Sequence, residues 1–179
     1  MLVSALALLF ATAPLPAETD RAYAGSGTLL LGDQRLRLDG VAVLRPDGST
    51  LVDALTGAPV ADGEHLCAAD EGEGGIGRLR CWSADGPVVT IATGGRPGRL
   101  ALHDGMVAYV ASPQGFPSVR VAPVDGSAPP RALTNVDLKR VPGQAPAGFV
   151  PPPLRDTLRF DGPLLRWQSA EGAQAVAWR

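Results

Sequence analysis

Apolar and polar positions alternate strictly in only a few places in this chain, such as RLRL at 35–38 and VRVAPV at 119–124. Elsewhere, short runs rich in Val, Ile, Leu and Tyr stand between breaks that contain Gly, Pro and Asp. Runs of this kind, bounded by turn residues, are the mark of β-strands. Beyond the first residues, no window of about ten residues free of Gly and Pro carries an apolar stripe at i, i+3, i+4 and i+7, the spacing an amphipathic helix needs. The pattern predicts an all-β fold.

The breaks are themselves ordered. Asp-Gly begins at positions 39, 47, 62, 85, 104, 125 and 161. The segment from Asp62 to Thr93 lays over the segment from Asp104 to Thr134, with Asp85 over Asp125, at a period of about 41 residues. Each runs Asp-Gly, a β-rich run, a Gly-containing loop, a second β-rich run, a second Asp-Gly, and a third run closing on Thr. Shorter echoes start at Asp39 and Asp161, both without the long central loop. A period of roughly 40 to 45 residues built from short strands is the length of one propeller blade. The expected architecture is an antiparallel meander of propeller-like repeats, a small or incomplete β-propeller, with a β-sandwich as the alternative.

The stretch AYVASPQGFPSVRVAPVDGSAPPRALT (108–134) resembles the repeat of TolB-like propellers. The matching residues are Asp125, Gly126, Leu133 and Thr134, with Asp104 and Gly105 ahead of the preceding strand. The resemblance covers one good repeat and one degenerate one, and it implies a propeller-type fold more than any activity. The length leaves room for about four such units.

The opening MLVSALALLFATAPLPA holds an apolar run too short to span a bilayer and ends in small residues and prolines. It reads as a signal peptide over 1–17, although no Lys or Arg precedes the apolar run. Residues 18–179 then form a single β-repeat domain, exported to the periplasm or beyond, with no membrane span in the mature chain. Sixteen basic residues against 18 acidic ones give a net charge of −2. Such a balance carries no basic footprint for nucleic acid or anionic lipid. The proline-rich 141–153, VPGQAPAGFVPPP, reads as a stiff, extended connection between sheets in preference to a docking segment for a proline-reading module.

Gly72, Gly74 and Gly77 in CAADEGEGGIGRLRC spell G-x-G-x-x-G, the spacing of a dinucleotide cradle. That cradle needs a helix after its glycines, and RLRCWSADGP leaves no room for one. Asp70, Glu71 and Glu73 would also repel a phosphate, and the spacing fits neither an EF-hand nor a glycine-rich calcium repeat. A hairpin with its tip at Gly74 explains more, because Cys67 and Cys81 are then equidistant from the tip and face each other. With an oxidising destination, these two cysteines predict a structural disulfide. The same reasoning in the next unit, centred on Gly115, sets Tyr109 opposite Val121.

Candidate chemistry is sparse. His65 and His103 lie in no recognisable nucleophile or metal motif, His65 with the two cysteines gives too few ligands for zinc, and Asp70 with Glu71 reads as a solvated pair. Trp82, Trp167 and Trp178 read as core fillers. No catalytic, cofactor-binding or metal residues are assigned, and no cofactor is implied. The expected role is a non-catalytic binding or scaffold module of a bacterial envelope, with an unidentified protein or small ligand as partner. Its rivals are a hydrolase or lyase with a site built from distant loops, and a subunit whose ring is completed by a second copy.

Overall fold

The computed structural model describes residues 24–73, 76–113, 115–138 and 146–179. The expected leader at 1–17, the hairpin tip at Gly74 and residues 141–145 of the proline-rich stretch lie outside these. The chain is all-β, with antiparallel strands gathered into four sheets that follow one another along the sequence. The first holds β1 (Gly25–Leu31), β2 (Gln34–Gly40), β3 (Ala42–Leu44) and β4 (Thr50–Val52). The second holds β5 (Val60–Ala61), β6 (His65–Glu71), β7 (Gly77–Ser83) and β8 (Val89–Ile91). The third holds β9 (Gly98–His103), β10 (Met106–Ala111), β11 (Ser118–Pro123) and β12 (Arg131–Ala132), and the fourth holds β13 (Arg159–Asp161), β14 (Leu164–Ser169) and β15 (Gly172–Ala177). In every sheet the spatial order of the strands is their chain order, as expected of meanders.

The turns repeat from sheet to sheet. Gly32-Asp33, Asp62-Gly63, Asp104-Gly105 and Gly162-Pro163 make the first turn of the successive sheets. Asp104 and Gly105 both have positive φ, 50° and 67°, the backbone of a tight hairpin turn whose twist suits its strands. The third turn of the first three sheets is also shared: Gly48 N donates to Arg45 O, Gly86 N to Ser83 O and Gly126 N to Pro123 O. This corrects the frame read from Asp39. Asp39-Gly40 ends β2 at the second turn of its sheet, between β2 and β3, and the first unit begins with the β1–β2 hairpin, whose turn is spelled Gly-Asp.

The sheets stack face to face through three apolar cores. Leu36, Leu38 and Val43 of the first meet Leu66, Ala68 and Trp82 of the second. Ala69, Leu79 and the two cysteines of the second meet Val107 and Tyr109 of the third. Ala108, Val119 and Val121 of the third meet Leu165, Trp167 and Trp178 of the fourth. Two sandwiched layers are therefore not what the chain forms. Each fully buried Leu or Val in these layers contributes roughly 1.5–3 kcal/mol relative to exposure. The first strands also touch in succession, β1 with β5, β5 with β9 and β9 with β13, which puts them on one side of the stack.

Position in the stack explains the sequence pattern. The central strands of the inner sheets are covered on both faces, and β6 and β10 read HLCAADE and MVAYVA with almost no exposed position. Strands covered on one face alternate instead: β2 is QRLRLDG and β14 is LLRWQS, each burying every second residue. The outer faces are solvated. Arg37 and Asp39 pair at 3.3 Å with side chains 67% and 60% exposed on the first sheet, and Arg166 and Asp161 are 46% and 58% exposed on the fourth. Among the described residues no apolar core joins the first sheet to the fourth.

The predicted register holds in one hairpin and slips in the other. Cys67 stands opposite Cys81 with Cα atoms 4.2 Å apart, and the two form a disulfide buried in the core between the second and third sheets. In the third sheet the expected partner is displaced by one residue. Tyr109 stands opposite Arg120, and Val121 opposite Ala108. The loop between β6 and β7 has five residues and that between β10 and β11 has six, so the mirror point of the second hairpin falls between residues instead of on Gly115. Tyr109 consequently faces the second sheet while Val121 faces the fourth.

Candidate functional site

The outer face of the fourth sheet carries a shallow concavity. The hairpin of β13 and β14 turns through Gly162-Pro163, with Gly162 at φ 55° where other residues would be strained. Alternation along β14 sends Leu165 and Trp167 inward and Arg166 and Gln168 outward. Trp167 is fixed by its indole N–H, which donates to Pro151 O at 3.0 Å. Just before β13 the chain already runs beside β14: Leu154 N donates to Gln168 O at 2.7 Å, and Gln168 N donates to Thr157 Oγ1 at 3.3 Å. The turn at Asp156, with φ 59°, rises beside this edge. A cavity of about 320 Å³ results, bounded by Asp156, Thr157, Arg159, Arg166, Trp167, Gln168, Ala173 and Gln174. That is the lower end of the range for small-molecule sites.

Its charges are unequal. Arg159 stands directly opposite Arg166 across the two strands. Like charges in this relation repel unless a counter-charge intervenes. Arg166 has one, its Nε lying 2.5 Å from Asp161 Oδ2. Among the described residues no carboxylate pairs with Arg159. The β15 side of this face is flat and small, with Ala173, Ala175 and Ala177 all exposed. The arrangement can receive a negatively charged group. Sequence reading missed these arginines. The available signal was their equal distance from the Gly162-Pro163 turn.

The residues singled out from the sequence fall elsewhere. Gly72 and Gly77 flank the β6–β7 connection, and among the described residues β7 leads through a turn into β8 and not into a helix. Asp70 is a correction: it is wholly buried on β6, where the sequence suggested a solvated acid. Arg78 grips it through Nε at 3.2 Å and Nη2 at 3.0 Å, and Arg80 Nη2 donates to the same Oδ2. These bonds push the Arg78 guanidinium up from its ordinary value. Arg80 also lies over the Trp82 ring, 5.2 Å from its centroid. Glu71 points the other way and pairs with Arg96 at 3.1 Å in partial exposure. Asp70 and Arg78 are equidistant from Gly74, so the mirror that pairs the cysteines predicts this ion pair too.

The histidines are engaged separately. His65 N donates to Asp62 Oδ1 at 2.8 Å within the first turn of its sheet. His103 tilts against Phe160, ring centroids 5.6 Å apart, at the junction of the third and fourth sheets. No group of three or more His, Cys, Asp or Glu able to hold a metal occurs among the described residues. All three tryptophans are buried. Asn135 ties the proline-rich connection to the third sheet, its amide donating to Val150 O at 2.8 Å and its carbonyl accepting from Val150 N at 2.7 Å. Pro151 and Pro153 are buried, as befits a stiff connection in contact with the sheets. No helix among the described residues is long and apolar enough to cross a membrane.

No family model matches the chain, and no curated protein matches it.

Proposed function

We propose that this chain is an exported, non-catalytic binding module of a bacterial envelope, an incomplete TolB-like propeller that engages its partner through the outer face of its last sheet. The observation that carries the reading is the cavity on that face, where Arg159 is held opposite Arg166 on a rigid hairpin and lacks a counter-ion among the described residues. Sites that bind without reacting are built from shape and a few placed polar groups, and this one has both. Four successive meanders with shared turns, and first strands gathered on one side, support the propeller-like reading. The buried disulfide is compatible with an oxidising, exported location.

Affinity capture from an envelope fraction at near-physiological salt tests the proposal. The wild-type chain is expected to retain a partner that Arg159→Glu does not. Equal recovery by both, or none by the wild type, contradicts it.

A further inference from the structure

We infer that the cavity on the fourth sheet takes a ligand through a single carboxylate group, shared between Arg159 and Arg166. The inference rests on the binding reading above and adds the chemistry of the ligand.

Three features of the site converge on it. Arg159 and Arg166 occupy directly opposed positions on neighbouring strands, and strands lie about 4.8 Å apart. Two guanidinium groups rooted so close, on one face, can both reach the oxygens of one planar acid. Planar, forked donors match a carboxylate better than a point cation does. Asp161 already accepts from Arg166 Nε, which anchors that side chain and leaves its terminal nitrogens for a ligand. Arg159 has no carboxylate at ion-pair distance among the described residues, so its guanidinium is the one left for a ligand acid.

Asp156 sets the limit on that charge. Its carboxylate bounds the same cavity, three residues before Arg159 on the turn beside β14. The dianionic form of phosphate, which dominates above neutral pH, brings one charge more than Arg159 can balance and places it near Asp156. A monocarboxylate does not. The volume, about 320 Å³, accommodates more than the acid group itself, and the alanine surface of β15 offers a flat apolar strip for the body of the ligand. A chain carrying a terminal carboxylate suits these lining groups, with its acid on the arginines and its body toward Ala173 and Gln168.

The test uses the full mature chain with three probes: N-acetyl-trialanine as its free acid, the same peptide as its C-terminal amide, and inorganic phosphate. Binding is read from the side-chain Nε–H signals of Arg159 and Arg166 in nitrogen-proton correlation spectra, and from titration calorimetry. The free acid is expected to shift both arginine signals and to bind at least tenfold more tightly than the amide or phosphate. Arg159→Gln and Arg166→Gln are each expected to weaken the acid at least tenfold, while Arg37→Gln on the opposite end of the stack leaves it unchanged. Retained native spectra in each variant show that the sheet still forms. Equal affinity for acid and amide, tighter binding of phosphate, no shift at either arginine, or undiminished binding by Arg159→Gln overturns the inference. If the peptide acid fails while envelope capture still depends on Arg159, the ligand class is wrong and the binding reading stands. If both fail, the binding reading falls with it.

Discussion

Tyr109 stands opposite Arg120 in the third sheet, and its hydroxyl is sealed in the core against the second sheet with no hydrogen bond of normal geometry. Burial pushes its phenol up in pKa, and the Arg120 guanidinium beside it opposes that rise, first as a weakly aligned hydrogen-bond donor and then as a charge. The ring supplies packing and the hydroxyl very little. Tyr109→Phe is therefore expected to leave stability within about 1 kcal/mol of wild type, since a buried group without a partner gains nothing from being polar. Tyr109→Ala is expected to cost about 3–5 kcal/mol by opening a cavity. Urea unfolding of the two variants checks the contrast.

The Cys67–Cys81 bond closes a short loop in the middle of the stack. Loops of about 15 residues are worth on the order of 3 kcal/mol in the chain-entropy account. Replacing both cysteines by alanine should lower the unfolding free energy by about that amount without altering the β-sheet signal in circular dichroism. Thiol titration of exported, unfolded protein should find no free thiol.

Asp70 is the sole carboxylate bonded to both Arg78 and Arg80 among the described residues. Asp70→Asn leaves the two guanidinium groups facing a neutral amide. Because Arg78 and Arg80 are partly open to water, losing these charge-assisted bonds costs about 1.5–3 kcal/mol. Arg37→Ala, which removes an exposed pair with Asp39, is expected to cost less than about 1 kcal/mol. Denaturant midpoints of the two variants measure the difference.

Asp47 and Asp125 cap equivalent third turns. Asp47 Oδ1 accepts from Ser49 Oγ and Ser49 N, Asp125 Oδ1 from Ser127 N, and these bonds hold both carboxyls below the usual range. Groups so depressed contribute stability that is complete above their unfolded value, about 3.9, and is lost as pH falls through the folded value. Stability from these turns should be flat from neutral pH down to about pH 4 and decline below it. Asp125→Asn keeps an acceptor oxygen and should flatten part of that decline. Thermal unfolding between pH 2 and pH 6 follows it.

Much of this architecture is written in local chemistry. The Asp-Gly turns at 62, 85, 104, 125 and 161 sit where strands reverse, and a mirror about Gly74 places Cys67 against Cys81 because the hairpin loop there has an odd number of residues. The same mirror fails about Gly115 because the next loop has an even number, and a one-residue slip moves every side chain to the other face. The first unit was misframed because its first turn is spelled Gly32-Asp33, a reversal of the dipeptide used elsewhere. The candidate site was the least legible part. Arg159 and Arg166 look like ordinary surface residues until the hairpin opposes them and the segment at 154–157 walls them in.

The central claim is that binding occurs on the outer face of the fourth sheet. A photo-crosslinking residue placed at Ala175, exposed and opposite Arg166, tests it in the native envelope, with the same residue at Thr28, exposed and opposite Arg37 on the first sheet, as comparison. The account predicts an adduct of defined mass at position 175 and none at position 28. Adducts of equal yield at both positions, or none at position 175, would contradict it.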